Sequence, residues 1–223
     1  MARLSRIVVP DLPHHVTQRG NRQQALFLAP EDYALYRGWL AERCRADGVA
    51  CWAYVLMPNH VHLILVPSDA KGLARAVGET HRRYTSFFNA RARSTGHLFQ
   101  GRYYSRPMDE DHLVAAARYL ALNPLRAGLV AAAADWPYSS LGAHLKKRDD
   151  ALVTVAPLLQ RIPRFADLIE PGLDDSAALG LFEAGAATGR PLGDADFLVR
   201  LEAQLGRSLR PGKRGPKPKR EPA

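Results

Sequence analysis

Cysteine is scarce in this chain. Cys44 and Cys51 are the only two among 223 residues, which excludes a disulfide framework and a cysteine-ligated zinc site. Long apolar runs are missing too. Nothing approaches the roughly 18 consecutive apolar residues of a membrane span, and residues 1–10 carry no apolar leader. A soluble, cytoplasmic protein is expected. Acidic residues are in deficit: 22 Asp and Glu stand against 31 Lys and Arg, for a formal net charge of +9. A surplus of that size points to a polyanionic partner, most often nucleic acid, although a basic enzyme with no such partner shows the same balance. There is no internal repeat. The length suffices for one good-sized core plus an extension.

What is present begins with residues 54–65, Tyr-Val-Leu-Met-Pro-Asn-His-Val-His-Leu-Ile-Leu. His60 and His62 head an apolar, β-branched run. In a strand, residues two apart share a face, so both imidazoles can converge on one divalent cation while Val61 faces the other way. Most His-x-His pairs are simply partly exposed strand histidines, so the pair alone decides little. A zinc amidohydrolase barrel needs a longer alternation of strands and helices than this chain offers. A His-x-His-x-His nucleotide hydrolase needs a third histidine where Ile64 stands. A second motif follows, Arg118-Tyr119-Leu120-Ala121-Leu122-Asn123-Pro124. Tyr119 and Asn123 stand four apart, on one face of a helix. A core tyrosine and a helix-ending asparagine would look the same unless that face meets the histidine strand.

The surrounding pattern predicts strands over 14–19, 49–57, 60–66 and 102–107, with 49–57 and 60–66 joined by a turn at Pro58-Asn59. Helices are predicted from Pro30 to Gly48, over about 71–92, and from Asp109 to near Asn123, where Pro124 is expected to stop the third. Tyr33, Tyr36, Leu40 and Cys44 mark the buried stripe of the first, and Leu73, Val77, Tyr84 and Phe87/Phe88 that of the second. The order β-α-β-β-α-β plus a helix suggests a ferredoxin-like α+β sandwich with an antiparallel sheet. Three stretches are expected: a catalytic domain over 1–145, a helical extension over 146–206, and a basic, disordered tail over 207–223 with seven Lys/Arg and no acid between 207 and 220.

Taken together, four motifs give the chain a likeness to a known family. They are His60-Val61-His62 within Tyr54 to Leu65, then Gly101-Arg102-Tyr103-Tyr104-Ser105, then Arg118 to Val130, then Trp136-Pro137-Tyr138-Ser139-Ser140. Over about residues 5–145 the chain resembles the REP-associated tyrosine transposases, relatives of the insertion-sequence single-tyrosine transposases of the HUH (His, hydrophobic, His) superfamily. The resemblance implies that His60 and His62 bind Mg²⁺ or Mn²⁺ with Asn123 as third ligand. It also implies that Tyr119 is the nucleophile that nicks and rejoins single-stranded or hairpin DNA. Arg19 to Gln23 match the family's exit from the first strand.

Arg19, Arg22, Arg82, Arg83, Arg91, Arg93 and Arg102, with Lys213 and Arg214 in the tail, are candidates for contact with the phosphate backbone, though each singly also fits a solvated charged face. Thr188 to Gly193 followed by Phe197–Leu205 suggests helix–turn–helix-like spacing. The expected activity is that of a metal-dependent DNA nicking and rejoining enzyme acting on structured repeats, as a monomer in preference to a homodimer. The alternatives are a non-catalytic DNA-binding regulator that keeps the fold and an RNA-binding ferredoxin-like domain. The latter would carry aromatics where the histidines stand.

Overall fold

A computed structural model describes residues 6–170, 182 and 189–209 of the chain. Four strands, β1 (His14–Arg19), β2 (Val49–Met57), β3 (His60–Pro67) and β4 (Tyr104–Pro107), form one antiparallel sheet in the order β2-β3-β1-β4. Helices α1 (Pro30–Ala46) and α2 (Gly72–Ala92) connect β1 to β2 and β3 to β4, and α3 (Glu110–Arg126) follows β4. This is the ferredoxin-like α+β sandwich that the element order predicts.

Local chemistry explains the helices. Pro30 occupies the first turn of α1, where its missing N–H costs nothing. The Asp32 carboxylate accepts the N–H groups of Leu28 and Ala29 at 2.7 and 3.0 Å. Beyond the helix, Gly48 sits at φ +64°, a left-handed conformation suited to glycine. Asp109 caps α3 by accepting from the His112 N–H.

The sheet divides two cores. On one face Val16, Val61, Leu63, Leu65, Tyr54 and Leu56 pack against the stripes of α1 and α2. On the other, Ala53, Val55, Met57 and Ile64 pack against Leu113, Ala116, Ala117 and Leu120 of α3. The alternation along β2 and β3 follows the two-residue period of a strand buried on both faces.

Both sheet edges are covered, which blocks edge-to-edge association. Trp136–Ser140 runs beside β2, with Leu56 N–H donating to the Tyr138 carbonyl and Ser140 N–H to the Tyr54 carbonyl, both at 2.9 Å. Leu192 N–H donates to the Pro107 carbonyl of β4 at 2.8 Å. Helices α4 (Leu141–Leu145) and α5 (Ala156–Arg161) follow the β2 edge segment. Residues of the extension join both cores: Leu152, Val153 and Val155 the first, Leu158, Phe165 and Leu168 the second. The last helix, α6 (Ala195–Leu205), sets Phe197 and Leu201 against Ile7 and Val9.

Two boundaries differ from expectation. Helix α3 runs through Pro124 to Arg126. The proline falls in the last turn, so only the bond to the Leu120 carbonyl is lost, and Ala127 N–H still donates to Asn123 O at 3.0 Å. Strand β4 begins at Tyr104 rather than 102. Beyond Thr17 the backbone of β1 bonds the preceding loop instead, with Gln100 N–H donating to the Arg19 carbonyl at 2.8 Å. The predicted tail, with Lys213 and Arg214, lies outside the described residues apart from Arg207, Ser208 and Leu209. Of the stretch read as helix–turn–helix-like, Gly189 to Gly193 and all of α6 are described, and α6 is the one helix among those residues. Among the described residues no helix is long and apolar enough to cross a membrane.

Candidate active site

Strand pairing decides which side chains share a face. His60 lies opposite Arg19 and Met57, and His62 opposite Thr17 and Val55. His15 pairs with Ile64 and with Arg106 of β4. All of these point toward α3, because directly opposed residues in an antiparallel sheet share a face. Helix α3 crosses β2 and β3 on that side. It brings the Tyr119 ring to a centroid distance of 5.1 Å from His62, edge to face. The rings of His60 and His62 are 4.9 Å apart. Asn123, partly buried, stands one helical turn beyond Tyr119.

The hydrogen bonds at the two imidazoles are asymmetric in the same sense. Nδ1 of His60 is 2.7 Å from Asn59 Oδ1 and donates to it. Nδ1 of His62 is 2.9 Å from Nε2 of His15. That leaves Nε2 as the remaining ring nitrogen of each histidine, and Nε2 of His62 is buried without a hydrogen-bond partner. Both rings are kept neutral. Burial, with the charge of Arg19 added, lowers His60 to about 4. Burial, then His15, His60 and Arg19, hold His62 well below the usual histidine range. Neutral imidazoles with one engaged and one bare nitrogen are the form in which histidine binds metals. No three His, Cys, Asp or Glu residues cluster to make a self-sufficient metal site among the described residues. What the described residues bring together on this face is a pair of imidazoles, one of them with a buried, unpartnered Nε2.

Two residues of the site escaped sequence reading. His15 was only part of the first strand. Its signal was available, since a strand residue can face His62 once pairing is known, but one sequence does not reveal register. Phe182 lies parallel to Tyr119 at 5.2 Å and edge-on to His15 at 5.2 Å. It falls in the extension, whose short apolar-periodic segments predict helices but not which residue reaches the site. Tyr119 is 6% exposed.

Other tyrosines take different surroundings. Tyr84 is fully buried on the α1/α2 side, where its hydroxyl donates to the Leu26 carbonyl at 2.7 Å. Tyr103 is buried beneath Arg6. Tyr138 stacks on Tyr33 at 3.6 Å. Tyr104, half-buried, is opposite Thr17 and so shares the histidine face.

The candidate DNA-contacting arginines separate into two groups. Arg19, Arg22 and Arg102 are exposed and gather at the end of the sheet that carries His60. The loop after β1 bonds both the β2–β3 turn and the segment before β4: Gly20 N–H donates to Asn59 O and Asn21 N–H to Leu98 O, each at 2.8 Å. That loop is tight. A Cβ on Gly20 would sit 2.2 Å from the Gln24 carbonyl oxygen, and Arg22 and Gln23 both adopt positive φ, 51° and 62°. By contrast, Arg82, Arg83 and Arg91 belong to α2 on the opposite layer. Each is held by an acid: Arg82 by Glu79 at 2.6 Å, Arg83 by Glu42 at 3.2 Å, and Arg91 by the buried Asp32. Arg93 caps the end of α2 at φ 48°.

Comparison with known proteins gives a family and a fold. The family model described as "Transposase IS200 like" matches residues 9–123, just over half of the chain. Among solved structures, the chain is similar to a REP-associated tyrosine transposase bound to a REP hairpin, at 18% identity and a TM-score of 0.54, over 69% of this chain and 92% of that one. It is also similar to a Deinococcus radiodurans R1 protein described as a candidate transposase, at 22% identity and a TM-score of 0.37, over 53% of this chain and 95% of that one. The first likeness is one of fold. No curated protein matches the sequence.

Proposed function

The chain belongs to the IS200-like transposase family, and from that premise we propose that it is a metal-dependent DNA endonuclease and strand transferase. It cleaves one strand of structured repeat DNA through a phosphotyrosine on Tyr119. The observation that carries this reading is the meeting of the Tyr119 ring with that of His62, whose Nε2 is buried and bare. His60, His62 and Asn123 would hold Mg²⁺ or Mn²⁺. An ion bound there supplies Lewis acidity to the scissile phosphate.

The remaining chemistry belongs to the chain. The Tyr119 phenol oxygen forms a bond to phosphorus, the bond from phosphorus to the 3′ oxygen breaks, and the phenol proton ends on the freed 3′-OH. The product keeps a phosphodiester's energy, so another 3′-OH can reverse the step without ATP. A free tyrosine has a pKa near ~10 and is a weak nucleophile at neutral pH, so placement of the phenol against the phosphate carries much of the rate. Arg19, Arg22 and Arg102 would seat the backbone at the sheet end. Unpaired or hairpin DNA is the substrate, because a regular duplex cannot bring a phosphate to so enclosed a tyrosine. Residues 1–145 would carry the chemistry, 146–206 brace it, and the basic tail add sequence-independent affinity, in a monomer.

One observation favours the alternative, a DNA-binding regulator without catalysis: Phe182 lies against Tyr119 and little of the ring is exposed. The two readings separate in one assay. Labelled hairpin-plus-tail DNA is incubated with protein and Mn²⁺, and the covalent adduct is mapped by mass spectrometry. The expected adduct is on Tyr119 and is lost in Tyr119→Phe with DNA binding kept. A nucleotide on Tyr104 or Tyr103 would refute the assignment, and tight binding with no adduct would favour the regulator.

A further inference from the structure

We propose that His15 is a positioning residue: it fixes the tautomer and ring plane of His62 so that Nε2 of His62 faces the cation. The proposal rests on the reading of His60 and His62 as ligands.

His15 comes from β1 and is 1% exposed. Its Nε2 lies 2.9 Å from Nδ1 of His62. The two rings are parallel within 3°, with centroids 5.1 Å apart. That separation is what two imidazoles reach when joined edge to edge through one hydrogen bond, so the bond runs in the plane of both rings. A single proton sits between the two nitrogens, and there are two ways to place it.

In the first, His15 donates. His62 then carries its own proton on Nε2, a buried N–H with no acceptor, which is a destabilising state. In the second, His62 donates from Nδ1 and His15 accepts. Nε2 of His62 then has a lone pair, and the buried atom is a vacant ligand rather than an orphaned donor. The second arrangement removes the penalty when a cation is present, and the first forbids binding altogether. His60 shows the same logic with a simpler partner, since Asn59 Oδ1 can only accept and so forces the proton onto Nδ1. His15 does for the buried ligand what Asn59 does for the outer one. Phe182 and Tyr119 pack edge-on to the His15 ring at 5.2 and 6.3 Å, which holds its plane.

A residue that merely fills the core would leave cation affinity unchanged when replaced by a ring of similar size. The test uses the full chain without DNA. Long-range ¹H–¹⁵N spectra of the imidazoles report the tautomer directly, and electron paramagnetic resonance of free Mn²⁺ reports affinity. His62 is expected to carry its proton on Nδ1. His15→Phe is expected to weaken Mn²⁺ binding about 10–100-fold, and His15→Gln, whose amide oxygen can accept from Nδ1, to restore most of it. A proton on Nε2 of His62 in the unmodified protein, or a folded His15→Phe that binds Mn²⁺ as the unmodified protein does, would overturn the proposal. If His15→Phe fails to fold, the spectrum of the unmodified protein decides alone. Equal Mn²⁺ binding by His62→Ala and the unmodified protein would instead refute the ligand reading itself, and the tautomer would still show whether His15 controls His62.

Discussion

On the α1/α2 face of the sheet, His81 is buried among aromatic rings. Its Nε2 is hydrogen-bonded to the Tyr36 hydroxyl at 2.8 Å, and its ring lies 4.3 Å from Phe99. On the α3 face His62 is as deeply buried, yet its Nε2 meets nothing. Burial lowers both rings, His81 to about 3 with Arg6 adding to the effect. Depth and neutrality therefore do not tell a structural histidine from a functional one. Between these two rings the difference lies in whether the second ring nitrogen has a partner, and a bare buried Nε2 is a mark that His144 also carries. The arginines repeat the contrast. On the α2 side Arg82, Arg83 and Arg91 are each committed to an acid, while Arg19, Arg22 and Arg102 form no ion pair with an acid among the described residues.

The sharpest way to break this comparison is His62→Ala. It is expected to reduce strand cleavage and adduct formation to background, with a stability loss like that at His81, because the buried bond to His15 goes and a cavity is left. A large stability loss with cleavage intact would make His62 another His81. Next comes Asp32→Ala on the opposite face. Asp32 is 1% exposed and binds Arg91 and the N–H groups of Leu28 and Ala29, so its removal is expected to cost about 3–5 kcal/mol with Mn²⁺ affinity unchanged. Burial pushes this carboxyl up, but Arg91 and the two backbone N–H groups outweigh it and hold it below its ordinary value. A depressed carboxyl contributes stability above the unfolded value of about 3.9 and loses it as pH falls through the folded value. The gap between unmodified protein and Asp32→Ala should thus be full at pH 7 and shrink below about pH 4 in thermal melts. His81→Ala leaves the Tyr36 hydroxyl unpaired beside a cavity. A loss of about 2–3 kcal/mol is expected, or roughly 4–12 °C for a chain of this size, again without effect on Mn²⁺ binding. A matching loss of Mn²⁺ affinity would show that the two faces are coupled.

The sheet, its hairpin and the three long helices were legible because their apolar residues recur at two or at three to four. Tyr33, Tyr36, Leu40 and Cys44 are all buried as that spacing requires. The His60, His62 and Tyr119 constellation was legible because the same strand and helix periods put each residue on a face, and the faces do meet. Register and layer were not legible. Nothing in the spacing of Arg82 and Arg83 says that α2 lies behind the sheet, and nothing in His14-His15 says that the second of the pair opposes Ile64 while reaching His62. Pro124 was read by its usual effect on a helix interior. In a last turn the proline forfeits one bond and the helix continues. Phe182 was out of reach because its contacts with Tyr119 and His15 span more than sixty residues of sequence.

The smallest expected effects concern the arginines, and they test the layer assignment directly. A phosphate contact requires a guanidinium free to leave its neighbours. Arg82 and Arg83 would each have to abandon a glutamate, and Arg83 also lies over the Trp39 ring at 4.3 Å. Exposed pairs of this kind contribute little, so Arg82→Ala and Arg83→Ala should leave both stability and hairpin affinity nearly unchanged. Arg19 and Arg22 surrender no described acid on meeting DNA, and they stand at the sheet end beside His60. Arg19→Ala and Arg22→Ala should each weaken binding of any DNA sequence about equally and lower the slope of log affinity against log salt by about 1. Titrating a labelled hairpin with all four variants at several salt concentrations measures both quantities. Equal slopes lost from all four would mean that DNA reaches around both layers. A loss confined to Arg82 and Arg83 would place the nucleic acid behind the sheet, away from Tyr119, and separate binding from the proposed chemistry.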